Sequence, residues 1–140
     1  AKRQPPNGYA AKFSLPYLVA VILVKGRAGL AEFTDEAVGD ETVGHVAATV
    51  SYELDPSIDY PRRFAGHVRI RLNDGRVVEE RQDHPRGGPD IPMPREELEA
   101  KFRGNAALLL PEEKIEQIIR DVGGMATGGQ LTSLMKSLTP

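Results

Sequence analysis

The sequence predicts an α+β domain, in which a small antiparallel sheet with a central hairpin is packed with N-terminal and C-terminal helices. Three observations predict this class: an apolar run at 14–26 with helix-start and helix-stop residues, two-residue alternation within 64–81, and helical spacing of apolar residues within 94–138. The length of 140 residues suits one domain. We therefore expect a loose tail at 1–9 and a single domain at 10–140.

The apolar run after Ser14 is predicted to form a helix. The Ser14 hydroxyl can accept a hydrogen bond from a free backbone N–H of the first turn, and Gly26 is a typical stop. Apolar residues on every face indicate a helix that is buried all round, although a buried strand would also suit the β-branched residues. Two shorter helices are expected at 30–33 and at 41–48, the second capped by Asp40.

The segment 64–81 is predicted to form an antiparallel hairpin. Apolar and polar residues alternate before the pair Asp74-Gly75, which favours a tight turn because its residues tolerate positive φ. With a two-residue loop, Arg69 would face Glu80 as an opposite-charge pair across the strands. With a three-residue loop, every pairing would shift by one position.

Further elements are expected on both sides of the hairpin. Alternation at 50–54 predicts another strand of the same sheet. After the hairpin, Pro94 suits the first turn of a helix, Pro111 opens a second helix that Gly123-Gly124 ends, and 131–138 forms a last amphipathic helix.

Charge and cysteine content exclude several classes of function. Eighteen Lys and Arg residues against 20 Asp and Glu residues give a net charge of −2, without the basic field that binds nucleic acid. The absence of cysteine excludes disulfides, thiolate metal sites and a cysteine nucleophile, and it is compatible with the cytoplasm, where we expect the protein. The longest apolar run has eight residues, whereas a membrane-spanning helix needs ~20, and no signal peptide is visible.

The histidines do not predict a metal site. His45, His67 and His84 show no spacing typical of metal ligands. We interpret His45 as an exposed helix residue and His67 as a residue on the solvent face of the hairpin. The motifs of serine hydrolases, phosphate-binding loops and dinucleotide-binding folds are also absent from the sequence.

The loop that contains HPRGGP at 84–89 is the strongest candidate for a binding site. It brings His84, Arg86 and the backbone N–H groups of Gly87 and Gly88 within a few residues. Arginine forks and free N–H groups suit a polycarboxylate, because they provide bidentate, charge-assisted hydrogen bonds. The alternative interpretation is a solvated loop that is stiffened by its prolines.

A second candidate is formed by Lys12 and Ser14 at the start of the first predicted helix. A cation, a hydroxyl group and a helix N-terminus would together favour an anion. The alternative interpretation is a plain helix cap beside an exposed lysine.

Three stretches carry a family resemblance: AKFSLPYLVA at 11–20, HPRGGP at 84–89 and EELEAKFR at 96–103. In this order, and over nearly all of 10–138, the sequence resembles the smaller C-terminal domain of the MmgE/PrpD family. That family includes 2-methylcitrate dehydratase, cis-aconitate decarboxylase and iminodisuccinate epimerase.

The resemblance implies part of a hydro-lyase, decarboxylase or isomerase that removes a proton next to a carboxylate of a small di- or tricarboxylic acid. Members of the family work without a metal or organic cofactor, are commonly homodimers, and have a large helical domain that this chain lacks. Their acid–base groups come mainly from that domain. We therefore expect substrate-binding roles for Arg86, Gly87, Gly88, His84, Lys12 and Ser14, no catalytic residue in this chain, and no activity in isolation. The alternative is a non-catalytic binding or oligomerisation module derived from the same domain.

Overall fold

The computed structural model describes residues 3–138, and the chain divides into two compact units. Unit 1 is formed by the described residues of Ala1–Tyr52 and Glu99–Pro140, and unit 2 by Glu53–Leu98. Helices precede and follow an antiparallel hairpin, which confirms the predicted α+β class.

Most elements lie where the sequence predicts them. The described residues form α1 (Gly8–Ala11), α2 (Leu15–Lys25), a 3₁₀ helix (Leu30–Phe33), α3 (Asp35–Val38), α4 (Glu41–Thr49), β1 (Gly66–Arg71), β2 (Val77–Gln82), α5 (Arg95–Ala106), α6 (Glu112–Met125) and α7 (Leu131–Ser137). The predicted end of α6 at Gly123-Gly124 is wrong, because the helix continues to Met125. Glycine weakens a helix by about 1 kcal/mol but does not forbid it.

The predicted caps of α2 and α4 are confirmed. Ser14 Oγ accepts a hydrogen bond from the backbone N–H of Tyr17 at 3.1 Å. Gly26 ends α2 with φ of 73°, in the left-handed region that glycine adopts without strain. The Asp40 carboxylate caps α4 by accepting hydrogen bonds from the backbone N–H of Thr42 and from that of Val43, the latter at 3.1 Å. These local interactions fix both helix starts.

The core of unit 1 lies between α2 and α4. Its buried residues are Ala11, Tyr17, Ala20, Val21, Val43 and Ala47. The Tyr17 hydroxyl donates to the backbone carbonyl of Glu32 at 2.8 Å, and its ring meets Phe33 edge-on. Burial, followed by the negative charges of Asp40 and Glu32, raises the pKa of Tyr17. Tyr17 therefore serves as a neutral, hydrogen-bonded anchor of α2 within unit 1.

The prediction that α2 is buried all round is wrong. The face of α2 that points away from the core of unit 1 carries Leu15, Leu18, Val19 and Ile22. Leu15 is 50% exposed and Ile22 is 48% exposed. The sequence pattern reports how apolar a helix is, whereas burial requires a neighbour on each side. Within the described residues, unit 1 covers one side of α2 only.

The sequence predicts a loose tail at 1–9, of which residues 1 and 2 lie outside the described residues. Residues 3–9 contact the rest of unit 1. Arg3 Nε donates to the carbonyl of Val50 at 2.9 Å. The N–H of Gly8 donates to the Asp35 carboxylate at 2.8 Å, and Gly8 itself is buried. These contacts hold α1 next to α3.

Unit 2 contains the hairpin β1–β2, with the three-residue loop that the sequence left open. The N–H of Leu72 donates to the carbonyl of Arg76 at 2.8 Å, and the N–H of Gly75 donates back to Leu72 at 3.0 Å. Gly75 has φ of 87°, as this loop type requires. Arg69 consequently lies opposite Glu79, one position away from the partner that a two-residue loop would give.

The strand predicted at 50–54 is wrong. The sheet of the described residues has two strands, β1 and β2, and 50–54 has no regular structure. Tyr52 and Leu54 are 61% and 95% exposed. Alternation specifies a strand only when the segment finds a sheet edge to pair with and a surface to cover.

Candidate functional site

The loop between β2 and α5 holds four of the predicted site residues, and its glycines shape it. Gly87 has φ of 90°, a conformation that favours glycine, and its N–H donates to the carbonyl of Ile91 at 2.7 Å. The N–H of Gly88 donates to the carbonyl of Pro85 at 3.3 Å. Both backbone donors expected to meet an anion therefore close the loop on itself in this structure.

Arg86 binds a carboxylate of the protein with its guanidinium fork. Its Nε lies 3.0 Å from Oε2 of Glu97, and a second guanidinium nitrogen contacts Oε1 of the same residue. Both side chains are about half exposed, at 56% and 43%. Glu97 lies in the first turn of α5. The fork thus adopts the bidentate geometry that arginine uses for carboxylates in general.

His84 also faces an acidic residue of the loop. Its Nδ1 lies 3.2 Å from Oδ2 of Asp90, with both side chains accessible to solvent. The contact is an ion pair only when the imidazole is protonated. Both side chains are accessible to solvent, so this contact lies in an open part of the loop.

Arg81, at the end of β2, is likewise neutralised by carboxylates. Its Nε donates to Asp83 at 2.8 Å, and another guanidinium nitrogen donates to Asp55 at 3.2 Å. Hydrogen bonds from Ser57, followed by the contact with Arg81, hold the pKa of Asp55 below its usual range. Cations and carboxylates therefore alternate around the loop, so the local field is weaker than its arginine content suggests.

The second predicted group lies in unit 1, and its two members differ in access to solvent. Lys12 follows α1 and is exposed, whereas Ser14 is 1% exposed and caps α2. The structure thus assigns the Ser14 hydroxyl a structural role at the helix start. The loop residues belong to unit 2, so the two predicted groups lie in different units.

Sequence reasoning missed the acidic partners of the loop. No motif or spacing in the sequence marks Glu97 or Asp90 as a partner of the loop. Charge balance within 84–97 was the available signal, since two arginines and one histidine share this segment with three carboxylates. Which carboxylate meets which cation depends on the path of the loop, and the sequence does not specify that path.

The remaining histidines lie where the sequence predicts. His45 is exposed on α4. His67 Nε2 lies 2.6 Å from Oε1 of Glu79, and the Glu79 carboxylate also accepts a hydrogen bond from Arg69. The hydrogen bond from Arg69, followed by the one from His67, lowers the pKa of Glu79. Among residues 3–138, no cluster of three or more potential metal ligands is present. The same residues contain no helix that is long and apolar enough to cross a membrane.

The hairpin and the arginine-containing glycine loop lie within a segment whose sequence matches a known family of domains. Residues 1–123 match the sequence model of the MmgE/PrpD C-terminal domain, and the chain therefore belongs to the MmgE/PrpD family.

Individual relatives within the family are cis-aconitate decarboxylases. The chain is 31% identical over 121 residues to cis-aconitate decarboxylase of Aspergillus terreus, an alignment that covers 84% of this chain and 24% of the relative. It is 24% identical over 140 residues to cis-aconitate decarboxylase of Homo sapiens, covering 97% of this chain and 29% of the relative. It is 29% identical over 118 residues to cis-aconitate decarboxylase of Mus musculus, and this alignment covers 82% of this chain and 24% of the relative. The chain thus spans about a quarter of the length of these curated relatives.

Proposed function

We propose that this chain is the C-terminal domain of a lyase or isomerase that acts on small di- or tricarboxylic acids. The observation that carries the proposal is the family match over residues 1–123, together with relatives named cis-aconitate decarboxylase. Decarboxylation of cis-aconitate is the first candidate reaction. Dehydration of 2-methylcitrate and epimerisation of a dicarboxylate are the other reactions that we keep in the proposal.

Removal of a proton next to a carboxylate creates an enolate-like charge, so it needs a positioned base and a cationic clamp. We infer that the loop at 84–89 supplies part of the clamp. Arg86 already holds the Glu97 carboxylate with two hydrogen bonds, and a substrate carboxylate would take that place. Exposed ion pairs contribute little to stability, so the exchange of one carboxylate for another has a low energetic cost.

The other proposed site residues support this clamp. His84 would lie beside the bound acid and help to balance its charge, and the left-handed Gly87 together with Gly88 would allow a close approach to the backbone. Lys12 is proposed as a second, weaker cation, with Ser14 fixing the start of α2 next to it. We assign none of these residues the role of the base.

The proposed enzyme is larger than this chain. We propose that an N-terminal helical domain of the same protein supplies the base and most of the pocket, and that the enzyme is a cytoplasmic homodimer that needs no metal or organic cofactor. Unit 1 and unit 2 together would form the smaller domain at 10–140.

The test begins with the complete reading frame that contains residues 1–140. The full-length product is purified and incubated separately with cis-aconitate and 2-methylcitrate, and substrate loss is followed by NMR. The proposal expects turnover of at least one acid, with retention of activity after treatment with a chelator. A reading frame without a helical domain, combined with no turnover of either acid, would instead favour the non-catalytic module.

A further inference from the structure

We propose that Asn7 is a conditional deamidation site, which the Asp35 carboxylate keeps unreactive while α1 is packed against α3. The side chain of Asn7 is exposed, and Gly8 follows it in the chain. Asn-Gly pairs deamidate readily, because glycine has no side chain to hinder attack by its backbone nitrogen. Residues 1–140 contain one such pair. The inference concerns this site alone and does not depend on the proposed activity.

Deamidation at Asn7 would proceed through a cyclic imide. The backbone nitrogen of Gly8 attacks Cγ of Asn7, a new N–Cγ bond forms, and the bond from Cγ to Nδ2 breaks. The proton of the Gly8 N–H leaves with the side-chain nitrogen as ammonia. Water then opens the imide at either carbonyl and gives aspartate or isoaspartate, so the reaction needs no reagent other than water. The Gly8 nitrogen is therefore the atom that decides whether the site reacts.

Hydrogen bonds hold both reacting groups in this structure. The N–H of Gly8 donates to Oδ1 of Asp35 at 2.8 Å. Oδ1 of Asn7 accepts from the N–H of Ala10 at 2.8 Å, which fixes the Asn7 side chain as the cap of α1. Attack on Cγ requires the Gly8 nitrogen to lose its proton and to turn towards the Asn7 side chain. Both hydrogen bonds must therefore break before the imide can form.

Packing and capping explain why a reactive pair stands at this position. Gly8 is buried, and a Cβ there would collide with the backbone carbonyl of Phe33. Asparagine is among the preferred residues at a helix cap. The fold thus requires glycine at position 8 and favours asparagine at position 7. The contact with Asp35 protects the pair that these two requirements create.

Local opening of α1 would make the site reactive. The helix has four residues, of which Gly8 and Ala11 are buried, and elements with few buried residues open with less free energy than the core. Isoaspartate adds one atom to the backbone, and either product places a negative charge on the residue before Gly8, whose N–H contacts the Asp35 carboxylate. Conversion would therefore weaken the contact between α1 and α3, so that the site reacts when this contact opens and then keeps it from closing properly.

The experiment measures the deamidation rate at Asn7 in the full-length protein. Samples are incubated at mildly alkaline pH, and the tryptic peptide 4–12, in which Asn7 is the single asparagine, is separated into its asparagine, aspartate and isoaspartate forms by chromatography with mass spectrometry. We expect Asp35→Ala to deamidate at least about tenfold faster than wild type, the factor that corresponds to losing one hydrogen bond to a charged group. Glu36→Ala, at the neighbouring exposed position of α3, is the matched control and should keep the wild-type rate.

Two results would overturn the inference. One is an equal rate in native wild type and in wild type fully unfolded in urea, since the fold would then give no protection. The other is a wild-type rate in folded Asp35→Ala, which would assign the protection to another contact. If Asp35→Ala does not fold, wild type is measured in urea below its unfolding transition, where weak local contacts open first. A rate that rises there supports the inference, and a rate that rises only with global unfolding overturns it.

Discussion

Arg86 and Glu97 form a bidentate ion pair that joins the glycine loop to the first turn of α5. Nε of Arg86 lies 3.0 Å from Oε2 of Glu97. The pair shows that the loop presents the arginine fork in the geometry of carboxylate binding. In the proposed enzyme, Glu97 would be the competitor that a substrate carboxylate replaces. The first prediction follows from this relationship.

Arg86→Ala should lower kcat/KM of the proposed full-length enzyme by roughly 10- to 100-fold, because the substitution removes the proposed charged hydrogen-bond partner of the substrate. The melting temperature should change little, since the loop is solvent-exposed. Steady-state kinetics with cis-aconitate measures the first effect and thermal unfolding the second.

Arg76→Ala is the control for this substitution. Arg76 is an exposed arginine at the hairpin turn that is also paired with a carboxylate, that of Asp74. It should leave the kinetics unchanged. Unchanged kinetics in Arg86→Ala, together with a lowered melting temperature, would mean that Arg86 has a structural role.

Gly8→Ala should destabilise the chain by about 1–3 kcal/mol, the usual effect of forcing extra atoms into a packed site. A Cβ at Gly8 would collide with the backbone carbonyl oxygen of Phe33 and lie 2.9 Å from the carbonyl carbon of Thr34. Urea unfolding of the wild-type chain and of Gly8→Ala measures the difference in unfolding free energy.

Gly44→Ala is the opposite case and the matched control. Apart from the adjacent residues and the backbone of its own helix, nothing lies within 4 Å of a Cβ built at Gly44, which is inside α4. Alanine should therefore be neutral or stabilise by up to about 1 kcal/mol, because it forms helix more readily than glycine. Equal effects at Gly8 and Gly44 would contradict the packing of α1 described above.

Glu32→Gln should make the chain less sensitive to acid. Glu32 is 8% exposed, and the N–H of Gly29, followed by Arg27, holds the pKa of its carboxyl group below the ordinary value of 4.5. A group whose pKa is lowered by folding stabilises the fold above its unfolded pKa, and that contribution disappears as the pH falls through the folded value.

Urea unfolding at about pH 7 and at about pH 3 tests this prediction. The wild-type chain should lose more unfolding free energy between the two pH values than Glu32→Gln does. Glu36→Gln, at an exposed position of α3, controls for the loss of one carboxylate. An identical pH dependence in wild type and Glu32→Gln would show that the Glu32 contacts do not stabilise the fold.

Ser14→Ala should lower the unfolding free energy by about 1 kcal/mol, the typical effect of losing a helix cap. The hydroxyl accepts from Tyr17, so its removal leaves a buried donor of the first turn without this acceptor. Thr34→Ala, which removes the cap of the short helix α3, is the comparison and should have a smaller effect. If the Ser14→Ala chain unfolds in urea with the wild-type free energy, the Ser14 hydroxyl does not stabilise the start of α2.

The sequence predicted those features that depend on neighbouring residues. Helix α2 was predicted because Ser14 and Gly26 mark its ends, and the hairpin because alternation surrounds Asp74-Gly75. The strand at 50–54 could not be assigned correctly, since pairing requires an edge elsewhere in the chain. The burial of α2 was overestimated for the same reason: apolar character is local, whereas coverage depends on the tertiary neighbours.

The candidate site was predicted by residue type and not by its contacts. His84 and Arg86 were identified because histidine, arginine and glycine within a short loop suit an anion. The partners Asp90 and Glu97 depend on the backbone path of the loop, including the left-handed Gly87. The hairpin register likewise depended on the loop length, because a positive φ at Gly75 suits both a two-residue and a three-residue loop.

One assay with cis-aconitate and 2-methylcitrate compares the isolated chain with the full-length protein. We expect turnover by the full-length protein and no product above the blank from residues 1–140 alone, because the proposed enzyme has its base and most of its pocket outside them. Product formed by residues 1–140 alone, and abolished by a point mutation within them, would contradict the account.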